Sequence, residues 1–80
     1  MEKQLTTAQI KKIIKGRPAS EIELIINEYI HDERNREITK AKLLQNVAYE
    51  PLSEIHRLTP RQCFNIVSKS CRIIIRHIDF

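Results

Sequence analysis

Tryptophan is absent from this chain, glycine occurs once, at Gly16, and only two Phe and two Tyr are present. A core must therefore be built from Ile, Leu and Val, while collagen-like repeats and low-complexity tracts are excluded. Also missing are a glycine-rich phosphate loop, an H-E-x-x-H pair, a nucleophile elbow and a convincing pair of acids, so neither an enzyme nor a cofactor is expected. His31-Asp32-Glu33 is the one cluster of titratable groups, but consecutive helical residues point in different directions, which suits a solvated helix end better than a shared site. No apolar run approaches the roughly 17 residues that a membrane-spanning helix needs. The N-terminal "MEKQLTTAQIKK" lacks the apolar run and small-residue cleavage site of a secretory signal. These absences lead to the expectation of a soluble, cytoplasmic protein with no membrane segment.

Cysteine is nearly as scarce. Cys63 and Cys71 are the only two, and on one helix they would stand about 12 Å apart along its axis, too far for an intrachain disulfide. They are expected as reduced thiols facing a core. Together with the scattered His31, His56 and His77 they lack the short paired spacing of a zinc site, so no metal is expected.

What is present amounts to one domain, residues 1–80, with 41% apolar residues. A chain of this size buries only about 60% of the surface its unfolded form exposes, so its stability margin is thin. Charge falls in blocks. Residues 1–17 carry a net +4, residues 18–37 a net −4, residues 38–54 balance, and residues 55–80 carry +4 again. Basic ends around an acidic middle create local fields that the total of +4 conceals.

Apolar residues recur at helical spacing throughout and no segment alternates cleanly, so the fold class is all-α, a small bundle of four to five helices. Thr6 is expected to cap the first helix with Gln9 reaching back; Ile10, Ile13 and Ile14 form its inner stripe and Gly16 stops it. Pro18 permits a fresh start. Ser20 with Glu23 suggests a second capping box, ahead of an inner stripe of Ile22, Ile25, Ile26, Tyr29 and Ile30, with Glu21, Glu28 and Asp32 on a solvated face. The polar "DERNRE" ends that helix or connects it to a third, expected to begin near Thr39, to use Leu43, Leu44 and Val47, and to end before Pro51. "PLSEIHR" forms a short helix with Leu52 and Ile55 inward. Thr59 and Pro60 then supply a cap and a first-turn proline for a last helix reaching about Ile78.

On a helical wheel of residues 59–78, Cys63, Phe64, Val67, Ser70, Cys71, Ile74, Ile75 and Ile78 occupy one broad arc, the expected core face. Arg61, Asn65, Ser68, Lys69, Arg72 and Arg76 collect opposite, with no carboxylate among them. A solvated helix face ordinarily mixes Glu with Lys at i, i+4, and uncompensated cations gain nothing from one another. Two arrangements would satisfy them: folding of Glu28, Asp32, Glu33 or Glu37 against the stripe, or an anionic partner outside the chain. Nucleic acid is the commonest such partner, since phosphates attract Arg and Lys and since Arg and Asn read base edges.

"TPRQCFNIVSKSCRIIIRHI", residues 59 to 78, resembles the recognition helix and tail of the region of bacterial sigma factors that binds the −35 promoter element. Thr59 stands at its cap, Asn65 at its polar reader, Ile66 at its inner aliphatic position, and Lys69 and Arg72 at its basic positions. The resemblance implies a helix-turn-helix at the C-terminal end, with "SEIHRL" as the supporting helix, although the connection is shorter than in that pattern and holds no glycine. The expectation is a small DNA-binding transcriptional regulator of phage or mobile-element type. Its nucleic-acid-binding residues are Arg61, Asn65, Ser68, Lys69, Arg72 and Arg76, with Lys11, Lys12 and Lys15 of the basic first helix touching phosphates. The alternative is a helical protein–protein interaction module, an inhibitor or adaptor of a nucleic-acid machine, whose cations meet an acidic protein surface. Ile73, Ile74, Ile75, Ile78 and Phe80 surround the last turns of the final helix. Either the first two helices wrap this end, or two copies pair through it as a homodimer.

Overall fold

A computed structural model describes residues 6–78, apart from the side chain of Thr7. Among these residues five helices follow one another: α1 (Thr7–Lys15), α2 (Ala19–Tyr29), α3 (Glu33–Gln45), α4 (Tyr49–His56) and α5 (Pro60–His77). All described secondary structure is helical. α5, the longest, is the hub, packing against each of the other four. Phe80 and Asp79 lie outside the described residues.

Local signals set the starts of the first and last of these helices. The Thr6 hydroxyl accepts from the Gln9 amide at 3.2 Å, and Gln9 Oε1 accepts from the Thr6 amide at 2.8 Å. Thr59 and Gln62 repeat this reciprocal cap at the start of α5, at 3.1 and 2.8 Å, with Pro60 in the first turn. Each box satisfies two of the amides that a helix start leaves without an intrahelical partner.

The core is aliphatic. Ile10, Ile14, Ile22, Ile25, Ile26, Ile30, Ile38, Leu52, Val67, Ile74 and Ile78 are buried, with Cys63 and Cys71 among them as free thiols. Burial pushes both thiols up from their ordinary range, since an apolar surrounding disfavours the thiolate. Ile13, Phe64 and Ile75 are half-buried at the margins.

Four expectations about the elements are corrected. α2 is capped by Pro18, not by a Ser20–Glu23 box, because the Pro18 carbonyl already accepts from Glu21 and Ile22 at 3.1 and 3.2 Å, which puts Ser20 inside the helix. Tyr29 is 40% exposed and lies flat on His77, ring centroids 3.5 Å apart. α3 begins at Glu33, well before Thr39: Asp32 caps it by accepting from the Asn35 amide at 3.0 Å, so most of "DERNRE" is helical. Thr39 is instead mid-helix and fully buried, donating to Ser70 at 2.8 Å. Finally, Ile55 is 70% exposed, because α4 turns Leu52 and Ser53 inward. The Ser53 hydroxyl is satisfied by the Glu50 carbonyl at 2.6 Å, so its burial costs little.

At the far end of α5, Ile74 and Ile78 are buried in the core, while Ile73 and Ile75 stay half-buried. Among the described residues no helix is long and apolar enough to cross a membrane.

Candidate nucleic-acid interface

With Cys63, Val67, Ser70, Cys71, Ile74 and Ile78 committed to the core, the opposite side of α5 is left to solvent. Arg61, Asn65, Lys69, Arg72 and Arg76 are all exposed there. At 1.5 Å per residue this stripe extends about 22 Å from Arg61 to Arg76. Ser68 is set apart from it: the residue is half-buried, and its hydroxyl oxygen is shielded from solvent without a hydrogen-bond partner among the described residues.

The acidic middle does not fold against the stripe. Among the described residues the structure holds one salt bridge, Arg17 to Glu21 at 3.3 Å, within α2 and its approach. Arg61, Lys69, Arg72 and Arg76 have no carboxylate at salt-bridge distance in that set. Asp32 lines, with Arg34, Asn65 and Lys69, a cleft of 460 Å³ between the start of α3 and the flank of α5.

The connection that leads into α5 is a three-residue turn, Arg57 to Thr59. Arg57 takes the left-handed conformation (φ 55°, ψ 43°) at the position where a glycine is usual, and its amide donates back to the Ser53 carbonyl. Leu58 follows, half-buried, and its amide also donates to Ser53, at 2.9 Å. Helix, short turn and capped helix therefore stand in sequence without glycine.

α1 adds its charge beside this surface. Lys11 Nζ lies 5.5 Å from the centre of the Phe64 ring, and Arg61 Cζ lies 5.9 Å from the same ring. Tyr49 meets Phe64 edge to face at 5.8 Å and accepts a long hydrogen bond from Lys11 Nζ at 3.5 Å. Lys42 Nζ sits 4.4 Å above the Tyr49 ring. Three cations from three helices thus gather round two half-buried aromatic rings, an attraction between ammonium or guanidinium and ring face. Lys12 and Lys15 are exposed on α1, while Lys11 is half-buried.

Lys42, Tyr49 and Phe64 are members of this surface that the sequence did not announce. Lys42 belongs to a block whose charges cancel, and Phe64 falls at the edge of the apolar arc of α5. The scarcity of aromatics was the one available hint, since two of the four converge here. No family model, no curated protein and no solved structure matches this chain.

Proposed function

We propose that this protein is a small DNA-binding regulator that lays the exposed face of α5 against a duplex, with Arg61, Lys69, Arg72 and Arg76 on phosphates or guanine edges and Asn65 reading a base. The observation that carries the reading is the stripe itself: four exposed cations on one helix face, with no internal counter-charge among the described residues. The capped entry into α5 through a three-residue turn supports a helix-turn-helix use of α4 and α5, as the sigma-factor resemblance implies. Lys11, Lys12 and Lys15 extend the positive surface from α1. Such a regulator would work in the cytoplasm of a bacterial host, in keeping with a phage or mobile-element role.

A titration of duplex DNA against salt tests this. If each of the four α5 cations meets a phosphate, the logarithm of affinity falls against the logarithm of salt with a slope of about −3.6, and more steeply if α1 joins. Replacing Arg61, Lys69 and Arg72 by Glu should abolish binding while the helical circular dichroism is unchanged. Unaltered DNA affinity in that folded variant would overturn the proposal.

A second reading has a specific observation behind it. Leu24 and Ile55 are 63% and 70% exposed, and exposed apolar side chains on a protein that also carries a cationic face suit an acidic protein surface, as in an inhibitor or adaptor. A flat salt response with DNA favours it. On either reading a homodimer through half-buried Ile73 and Ile75 would place two basic helices together. Sedimentation equilibrium checks this: a dimer that Ile73→Lys converts to monomer is expected, and a wild type that is monomeric at every concentration removes it.

A further inference from the structure

Apart from the α5 stripe, the molecule has an open cleft of 520 Å³ between α1, the start of α2 and the C-terminal part of α3. Its rim is made of Lys11, Lys15, Arg17 and Lys42, and no carboxylate lines it. Its floor is apolar: Ile14 and Ile22 are 3% and 1% exposed, and Leu43 and Leu44 are half-buried beside them. The volume falls within the roughly 300–1,000 Å³ of small-molecule sites.

Two features separate this rim from an ordinary solvated lysine face. Three of the four cations are held in place, Lys42 at 4.4 Å and Lys11 at 5.8 Å from the centre of one ring, Tyr49, and Arg17 by Glu21 at 3.3 Å. The two ammonium groups that share this ring also carry like charge and repel each other. An anion between them relieves that repulsion. Several point charges round one opening suit a multiply charged head better than a single carboxylate, and lysine is an established phosphate partner of this kind. The floor requires that the head carry an apolar or planar body.

We infer that this cleft binds a phosphomonoester, with its phosphate held by Lys11, Lys15 and Lys42 and its body lying on Ile14, Ile22, Leu43 and Leu44. The body is either a nucleoside or an aryl or alkyl group, since both present a flat or apolar face to such a floor. The inference goes beyond the DNA-binding proposal and does not rest on it: Lys11, Lys15 and Lys42 border both surfaces, but the leucines of α3 take no part in DNA binding and the α5 stripe takes no part in this site.

The test is a methyl and amide chemical-shift titration of the full chain with adenosine monophosphate, phenyl phosphate, inorganic phosphate and adenosine. Saturable shifts centred on Ile14, Leu43 and Leu44 are expected with at least one of the two esters, the tighter of them identifying the class of body. Inorganic phosphate and adenosine, each lacking one half of the ligand, should bind at least about tenfold more weakly. Lys15→Gln with Lys42→Gln should weaken the ester by about tenfold or more, and Lys15→Gln alone serves if the pair disturbs folding. The Arg61, Lys69 and Arg72 to Glu variant should retain ester binding, which keeps failure of this site distinct from failure of DNA binding. Absence of saturable shifts with either ester at millimolar concentration, or inorganic phosphate binding as tightly as the esters, would overturn it.

Discussion

Gly16 ends α1 without using the freedom that glycine has. Its backbone is right-handed (φ −78°, ψ −5°), and a Cβ there would meet the Ile13 and Lys12 carbonyl oxygens at 3.5 and 3.8 Å, ordinary contact distances. The stop belongs instead to Pro18, which disfavours helical backbone at Arg17 and opens α2. Gly16→Ala is accordingly expected to stabilise the protein by about 0.4–1 kcal/mol, because it restricts only the unfolded chain. Urea denaturation measures this, and a destabilised variant would mean that the junction depends on glycine after all. Among the described residues the two positions that do take positive φ, Asn46 and Arg57, are not glycines. Each terminates a helix in the left-handed conformation, α3 and α4 respectively.

Among the elements, α3 is the one whose pattern conceals its placement. "ERNREITKAKLLQ" has one fully buried aliphatic side chain, Ile38, and next to it a fully buried Thr39. The hydroxyl of Thr39 donates to Ser70 of α5, which is itself buried, so one polar contact pins α3 to the hub helix inside an aliphatic core. Removing one partner leaves the other without its bond in an apolar setting. Thr39→Val should therefore cost about 1–3 kcal/mol. The double variant Thr39→Val with Ser70→Ala should recover part of that loss, since no polar group is then left stranded. Additive losses across the cycle would show that the hydroxyls do not depend on each other.

For the whole molecule, packing brings together what the chain keeps apart. Both basic blocks meet where α1 lies on α5, with Lys11 and Arg61 reaching one Phe64 ring, while among the described residues the acidic block answers them with one salt bridge, Glu21 to Arg17, and with none to α5. Without its anionic partner such a surface repels itself. Raising salt from about 0.01 to 0.15 M shortens the screening length from about 30 to 8 Å. The melting temperature of the free protein is expected to rise over that range. A fall would mean that attractive pairs outweigh the repulsion.

What the sequence determined by itself is what one or two helical turns can encode. Thr6 with Gln9, and Thr59 with Pro60, mark helix starts because a cap is satisfied within three residues of itself. The segregation of Arg61, Lys69, Arg72 and Arg76 from Cys63, Val67, Cys71 and Ile74 is likewise a matter of helical period, and it holds in the fold. Tertiary structure alone decided the contacts between distant residues: Thr39 with Ser70, 31 positions apart, and Lys11 with Tyr49, 38 apart. It also decided which apolar residues are left over. Tyr29 and Ile55 fit inward patterns on their own helices, yet both remain exposed, Tyr29 stacked on His77 at the end of α5 and Ile55 on a helix that turns Leu52 and Ser53 inward. A helix's periodicity defines a face, whereas the side chains that meet that face, and the cations that converge beside it, follow from how five helices share one small core.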